Sequence, residues 1–265
     1  MHRERVLLAG WGRAILLQIA HPKVARGVAE HTAFTHERWG RVRRLRRTLD
    51  AMLALTFGSP EDAEAVAARI NGIHDRVNGR LDVTAGGMAA GSPYSAHDPA
   101  LLTWVHATLL DSFLLTYRLF VGPLDAEEGD QYCAETASIE DRLGIPAGSL
   151  PRSEPALRAY LDEMLRSGVI EVTDTARELA REVVTPPAPG PMVPLLRLAA
   201  LPAVGLLPEA LRAAYGFPWS GRHERALRLM AAATRRVLPL VPGAIRYWPA
   251  ARRAARRAPV ERAGR

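Results

Sequence analysis

Residues 101–117 read LLTWVHATLLDSFLLTY, and this stretch decides the fold class. Its apolar residues recur every three or four positions, a spacing that places them on one face of a helix. That face consists of Leu102, Val105, His106, Leu109, Leu110, Phe113 and Tyr117. The pattern predicts a long core helix that carries a histidine, His106, within its apolar stripe.

A second histidine lies in a similar stripe in residues 68–79, ARINGIHDRVNG. Here His74 follows Ile70 and Ile73 on one helical face. A buried imidazole needs a hydrogen-bond partner or a metal, because an unpaired buried polar group costs about 1–3 kcal/mol. The two histidines therefore leave two interpretations open. They indicate either a polar or metal-bearing pocket in the helical core, or two satisfied core residues.

Helical patterns follow one another along the whole chain, and strand patterns are nearly absent. The predicted spans are 6–20, 22–30, 37–57, 60–79, 99–120, 125–143, 154–166, 173–183, 191–201, 208–214 and 222–238. Residues 80–95 are rich in glycine and small residues, which predicts a loop, and the proline-rich residues 185–191 predict a hinge. We expect an all-α protein, with a single domain of about ten helices over residues 1–251 and a basic, disordered tail over residues 252–265.

Composition narrows the classes of function. Cys133 is the single cysteine, which excludes an intramolecular disulfide and a cysteine-based zinc or iron–sulfur site. It is also compatible with a reducing cytoplasm, where we expect this chain to act. The chain has no phosphate-binding P-loop, no dinucleotide-binding glycine motif after a strand, no G-x-S-x-G nucleophile elbow and no H-E-x-x-H zinc motif. The standard hydrolase and transferase classes therefore lack support.

The net charge of +7 is concentrated at the C-terminus. Residues 252–265 contain six arginines and one acidic residue, Glu261. The tail lacks the interleaved aromatic residues of nucleic-acid-binding segments, so we expect no nucleic-acid partner. A solvated tail and a weak contact with a membrane surface remain as alternatives. The oligomeric state is left open by the sequence.

Two further histidines frame residues 21–31, HPKVARGVAEH. On a helix, His21, Val24, Val28 and His31 share one side. They serve either as capping and packing residues or as members of a cofactor pocket together with His74 or His106.

Residues 10–31, GWGRAILLQIAHPKVARGVAEH, resemble the opening of the MpaB/rubber-oxygenase (latex-clearing-protein-like) family of helical haem proteins. The resemblance continues through residues 46–50 (RRTLD), 73–79 (IHDRVNG), 94–96 (YSA) and 98–123, and more weakly to the C-terminal helices. It implies the all-α fold of this family, which encloses one haem b. His106 is typical of the short bacterial branch, to which the resemblance assigns this chain. The similarity begins within nine residues of Met1, so we expect relatives to extend further upstream.

The resemblance also implies roles for individual residues. Rubber-cleaving members hold iron through a histidine that matches His74, our first choice of axial ligand, although Asn71 stands where they have an arginine. Arg69 and Arg76 are candidates to substitute for that arginine. Their distal lysine–threonine pair matches Arg47 and Thr48, and arginine is a poor iron ligand because it stays protonated.

Other roles follow more loosely from the resemblance. Glu30 corresponds to a distal acid, and Arg13 and Arg47 are candidates to bind haem propionates. His106 is the second choice of iron ligand, and it also fits a distal acid–base group or a core residue. Tyr94 and Trp104 either line the pocket or pack in the core.

Two functions are compatible with these residues. The first is a haem b-dependent oxygenase that acts with dioxygen on an apolar alkene or lipid-like substrate. The second is a non-catalytic helical protein that binds haem or lipid in the same cavity.

Overall fold

The computed structural model describes residues 1–32, 40–185 and 193–263. Helices make up most of this part of the chain, so the prediction of an all-α fold is confirmed. The α-helices are α1 (Leu8–Ile19), α2 (Pro22–Thr32), α3 (Gly40–Phe57), α4 (Pro60–His74), α5 (Pro99–Phe120), α6 (Ala126–Thr136), α7 (Glu140–Leu143), α8 (Glu154–Arg166), α9 (Asp174–Val184), α10 (Val193–Gly205), α11 (Glu209–Ala214), α12 (Gly221–Val237), α13 (Gly243–Arg246) and α14 (Pro249–Ala263). Short 3-10 helices lie at Arg5–Leu7, Ala137–Ile139 and Leu238–Leu240.

Local sequence explains where several helices begin. Ser59 and Asp125 each form a capping box, with Asp62 and Glu128 respectively, and both helices carry acidic residues in their first turn. The Asp98 side chain accepts a hydrogen bond from the Ala100 N–H, which starts α5 as predicted.

The helix predicted over residues 60–79 ends at His74, and a small element that the sequence did not indicate spans the end of that prediction and the predicted loop over residues 80–95. Strand β1 (Asn78–Arg80) pairs antiparallel with β2 (Pro93–Ser95), with Asn78 opposite Ser95 and Gly79 opposite Tyr94. Three-residue strands are too short to show an alternating pattern, which explains why they were missed.

Helix α1 lies at the centre of the core, against α5 on one side and α10 on the other. A methyl group on Gly10 would lie 2.9 Å from the Ser112 carbonyl oxygen and still closer to the Thr116 hydroxyl. A methyl group on Gly12 would lie 2.6 Å from the Ala203 Cβ. The two glycines therefore let α1 approach both neighbours closely.

Helix α5 carries buried hydroxyl groups that its own backbone satisfies. Ser112 Oγ donates to the Thr108 carbonyl at 2.6 Å, and Thr116 Oγ1 donates to the Ser112 carbonyl at 2.6 Å. Within the described residues α5 is the one helix long and apolar enough to span a bilayer, and 67% of its most apolar stretch is buried inside the protein. Such burial is expected of a core helix.

The N-terminal residues are clamped by the C-terminal part of the chain. The Glu4 carboxylate accepts two hydrogen bonds from the Arg246 guanidinium, at 2.7 and 2.8 Å. The Trp248 N–H donates to the Arg3 carbonyl at 3.1 Å, and Glu4 pairs with Tyr247 in an isolated β-bridge. These contacts fix the position of His2.

Residues 252–263 of the predicted tail form part of α14. The structure therefore describes a helix where the sequence indicated disorder. The helix packs against α3. The domain boundary at residue 251 falls inside α14 and stays a prediction. Most of the predicted hinge, from residue 186, lies outside the described residues, as does the predicted start of α3 at residue 37.

Candidate functional site

His74 is the last residue of α4, and its Nδ1 is buried without a hydrogen-bond partner among the described residues. Burial lowers the pKa of this imidazole, the nearby His97 lowers it further, and Asp75 opposes both. A lowered pKa favours the neutral ring at neutral pH. A neutral ring with one unpartnered nitrogen is the form of histidine that ligates a metal.

His97 is a neighbour of His74 that the sequence analysis missed. The two ring centroids are 5.7 Å apart with the planes at 82°, and His97 Nε2 lies 2.8 Å from the Asp75 Oδ1. The β1–β2 pairing explains this proximity, because the strands are antiparallel and the Asn78–Ser95 pair brings the residues before Asn78 close to those after Ser95. The sequence offered one indirect indication of the position of His97: the helix-capping residue Asp98 follows it directly.

Asn71 lies one turn before His74 on the same face of α4. Its Nδ2 donates to the Arg142 carbonyl at 3.0 Å, and this bond ties α4 to α7. Its Oδ1 is buried without a partner among the described residues, like the His74 Nδ1. Arg69 and Arg76 are exposed. The face of α4 that ends at His74 thus carries two unsatisfied polar atoms.

His106 also has a buried, unpartnered ring nitrogen, Nε2, in the described part of the chain. Burial lowers its pKa to about 4, against a smaller opposing effect of Glu140. His2, which the sequence analysis did not consider, lies near enough for His106 to lower its pKa, and burial brings that pKa to about 4 as well. The His2 Nε2 is 3.0 Å from the Tyr132 hydroxyl.

An apolar cleft opens beside His2 between α1, α3 and α5. Its enclosed volume is about 40 Å³, and the figure rises to about 380 Å³ when the open mouth is counted. The lining residues are His2, Leu7, Leu8, Trp11, Leu49, Met52, Leu53, Thr56, Phe113 and Trp248. The His2 ring meets the edge of Phe113 with centroids 5.4 Å apart, so the single imidazole in the lining is held by an aromatic contact and the Tyr132 hydroxyl.

In the parts of the chain that are described, no group of three or more His, Cys, Asp or Glu side chains is placed to hold a metal ion by itself. A haem site requires fewer protein ligands, because the porphyrin supplies four nitrogens and the protein supplies one or two axial ligands. The unpartnered nitrogens of His74 and His106 fit that requirement.

Comparison with families of known proteins matches residues 1–236 to the family described as ER-bound oxygenase mpaB/B'/Rubber oxygenase, catalytic domain. The chain belongs to this family. The match confirms the resemblance drawn from the N-terminal motif and covers α1 to α12 almost entirely. Neither the curated proteins nor the solved structures contain a match to the chain.

The structure of this MpaB/rubber-oxygenase chain gives Arg13 three partners within the protein. Its guanidinium donates to the Leu206 carbonyl at 2.6 Å and to Ser112 Oγ at 2.8 Å, and pairs with Asp111 at 2.6 Å. Arg13 therefore links α1 to α5 and to the end of α10. Its contact with a haem propionate stays a prediction.

Glu30, the expected distal acid, is held by two side chains. Arg26 donates to it at 2.6 Å, and the Tyr94 hydroxyl donates to its other oxygen. Burial and the Glu30 carboxylate raise the pKa of Tyr94. Tyr94 is buried, so this polar group anchors α2 to β2.

The remaining predicted residues are His21 and His31 at the two ends of α2 and the neighbouring Arg47 and Thr48 on α3. The His21 Nδ1 accepts the Lys23 N–H at 3.2 Å, and burial lowers the pKa of His21 to about 4. His31 is exposed, and its Nδ1 lies 3.0 Å from the Gly27 carbonyl. Arg47 and Thr48 are exposed on α3.

The described contacts thus form three separate groups in this member of the family. His74 lies beside His97, His106 beside His2, and Glu30 between Arg26 and Tyr94. None of these contacts joins a residue of one group to a residue of another. Trp104, whose role the sequence left open, is fully buried in the core, where its indole N–H donates to the Gln18 carbonyl at 3.4 Å.

Proposed function

We propose that this chain is a haem b-dependent oxygenase that uses dioxygen to oxidise an apolar, alkene or lipid-like substrate. The observation that carries the proposal is the buried, unpartnered Nδ1 of His74 in a chain whose family is described as oxygenases. Haem, when bound, supplies the redox chemistry needed to activate dioxygen.

His74 is the residue that would hold the haem. Its position at the end of α4 is fixed by packing of that helix and by the Asn71 bond to α7. The Asp75–His97 pair beside it holds a second imidazole near the ligand without using the His74 nitrogen. Such neighbouring polar groups orient an axial ligand and tune it. His106 is the second candidate for this role.

The cleft between α1, α3 and α5 has the apolar lining that we expect around such a substrate. Trp11, Met52 and Phe113 give it hydrophobic walls, and His2 supplies one polar group. Binding sites for small apolar molecules commonly combine such walls with a few polar groups that fix orientation. Since His2 and His106 have pKa values near 4, both rings are neutral near pH 7 and carry no charge into the apolar surroundings.

The reaction that the family resemblance implies is cleavage of a carbon–carbon double bond. One alkene and one dioxygen give two carbonyl groups, so atoms and electrons balance without a further reductant. Glu30, Thr48 and His106 are the chain's candidates to hold or move a proton on the distal side. Arg47, which stays protonated, is a candidate to bind a haem propionate. We further propose that the protein acts in the cytoplasm.

Oxygen uptake by purified, haem-loaded protein tests the proposed reaction. A long-chain alkene should raise uptake at least about tenfold over the alkane of the same length. The His74→Ala variant should lose this uptake. The control variant His223→Ala should retain it, because His223 lies on α12 and its ring is hydrogen-bonded to the Ser220 hydroxyl. Equal uptake with alkene and alkane, or full activity of His74→Ala, would contradict the proposal.

A further inference from the structure

An unusual group of apolar side chains is exposed where α12 ends. Leu240 is 82% exposed and Leu229 is 71% exposed, and Val237 and Ile245 are also exposed by more than half. They account for four of the eight exposed large apolar side chains in the described residues, within a span of 17 positions. A concentration of exposed apolar surface in one place indicates an interaction site.

The same part of the chain is strongly cationic. Residues 225–260 contain nine arginines and no acidic residue, whereas the whole chain has a net charge of +7. Arg236, Arg252, Arg253 and Arg256 are exposed, and in the described structure no carboxylate pairs with them. The exposed apolar side chains and the exposed arginines without a carboxylate partner therefore belong to the same segment of the chain.

Geometry joins the two features on α12. Leu229 and Arg236 are seven residues apart and share the outer face of this helix, opposite the buried Leu227 and Ala231. The 3-10 helix Leu238–Leu240 follows directly, with proline at position 239. The exposed apolar turn, residues 237–245, thus continues the outer face of α12.

This turn is held by fixed contacts on its C-terminal side. Arg246 immediately after Ile245 pairs with the buried Glu4, and Trp248 donates to the Arg3 carbonyl. Residues 237–245 lie beyond the part of the chain that matches the family, which ends at residue 236. The exposed turn is therefore an ordered feature outside the matched oxygenase region.

We propose that the apolar turn 237–245 and the arginines around it dock on the surface of an anionic lipid bilayer. Leu240, Val237 and Ile245 would enter the boundary between headgroups and acyl chains, and Arg236, which directly precedes the turn, would contact phosphate groups. Apolar residues combined with Arg on one surface are the pattern of proteins that lie on a membrane. The inference does not depend on the chain being an oxygenase.

Binding of the full chain to vesicles tests the docking surface. We expect co-sedimentation with vesicles that contain phosphatidylglycerol, little with pure phosphatidylcholine, and weaker binding as salt rises. Arg236→Ala should weaken binding about fivefold, since one arginine near the bilayer contributes about that factor. Arg166→Ala, an exposed arginine on α8, is the matched control and should bind like the unchanged chain.

The apolar turn is tested separately. Leu240→Ser should weaken binding by about tenfold or more, because a leucine buried in the bilayer contributes more binding free energy than one arginine at its surface. Val83→Ser removes an exposed apolar side chain in the 81–92 loop and should have no effect. A polarity-sensitive dye attached to Leu240→Cys should show a blue shift with anionic vesicles, whereas the same dye on Val83→Cys should not.

Three results would overturn the proposal. The first is no binding to anionic vesicles at low salt. The second is vesicle binding that Leu240→Ser leaves unchanged, with equally strong binding to an RNA oligonucleotide, which would indicate a general polyanion site. The third is self-association that Leu240→Ser abolishes in the absence of vesicle binding, which would make this surface an interface between copies of the chain.

Discussion

Glu4 and Arg246 are 242 positions apart in the sequence, and they form a buried ion pair with two hydrogen bonds. The Glu4 side chain is 1% exposed, and that of Arg246 is 18% exposed. Truncating one partner leaves a buried carboxylate without its counter-charge. We predict that Arg246→Ala lowers the free energy of unfolding by about 3–5 kcal/mol, measured by urea titration.

Arg252→Ala is the control for this prediction, because Arg252 is exposed on α14 and should change stability by less than about 0.5 kcal/mol. The double variant Glu4→Gln/Arg246→Met should recover part of the loss, since it removes both charges together. If Arg246→Ala is no less stable than Arg252→Ala, the ion pair does not hold the two ends together.

Gly10 and Gly72 provide a matched pair for testing the packing of α1. A methyl group at position 10 meets the Ser112 carbonyl of α5 at 2.9 Å, whereas a methyl group at position 72 on α4 meets nothing within 4 Å. We predict that Gly10→Ala destabilises the protein by about 1–3 kcal/mol, because the backbone of α5 must shift. Gly72→Ala should stabilise it by up to about 1 kcal/mol, because alanine is a better helix former. Equal thermal unfolding of the two variants would contradict the close approach of α1 and α5.

The buried histidines make stability depend on pH. The pKa of His106 is about 4 in the folded chain, below its ordinary value of 6.5, so the unfolded chain binds a proton more readily. The neutral His106 ring therefore contributes its full share of the free energy of unfolding above pH 6.5, and this contribution is lost as the pH falls towards 4. Lowering the pH from 7.5 to 4.5 should cost the unchanged chain about 2–3 kcal/mol more than His106→Leu, measured by urea titration at both pH values.

His2 has the same lowered pKa and remains in that variant, so the pH dependence should be reduced and not abolished. Identical loss of stability on acidification in His106→Leu and the unchanged chain would show that His106 is not buried as a neutral ring.

The helices could be predicted because their signals are local. Ser59, Asp98 and Asp125 cap helices at the positions that the sequence indicated, and residues 154–166 form a helix with the predicted bounds. The β1–β2 pairing could not be predicted from a period, since each strand has three residues. The helical C-terminus was missed because α14 packs on α3, a contact between distant parts of the chain.

The buried positions of the His74 and His106 rings could be predicted from the sequence, whereas the residues around them could not. His74 and His106 were found from their apolar surroundings, and each does carry an unpartnered ring nitrogen. Their neighbours could not be found in this way. His97 lies beside His74 because of the hairpin register. His2 lies next to residues 3 and 4, which contact residues 246–248 at the other end of the chain.

The absorption spectrum of the purified chain, produced in haem-replete cells, tests the central claim most directly. We predict a Soret band for the unchanged chain, its loss or displacement in His74→Gly, and its return when free imidazole is added to that variant. His97→Gly, which removes the neighbouring ring and leaves the His74 nitrogen, should keep the band. A chain that takes up no haem, or a His74→Gly spectrum identical to that of the unchanged chain, would contradict the assignment of His74 as the haem ligand.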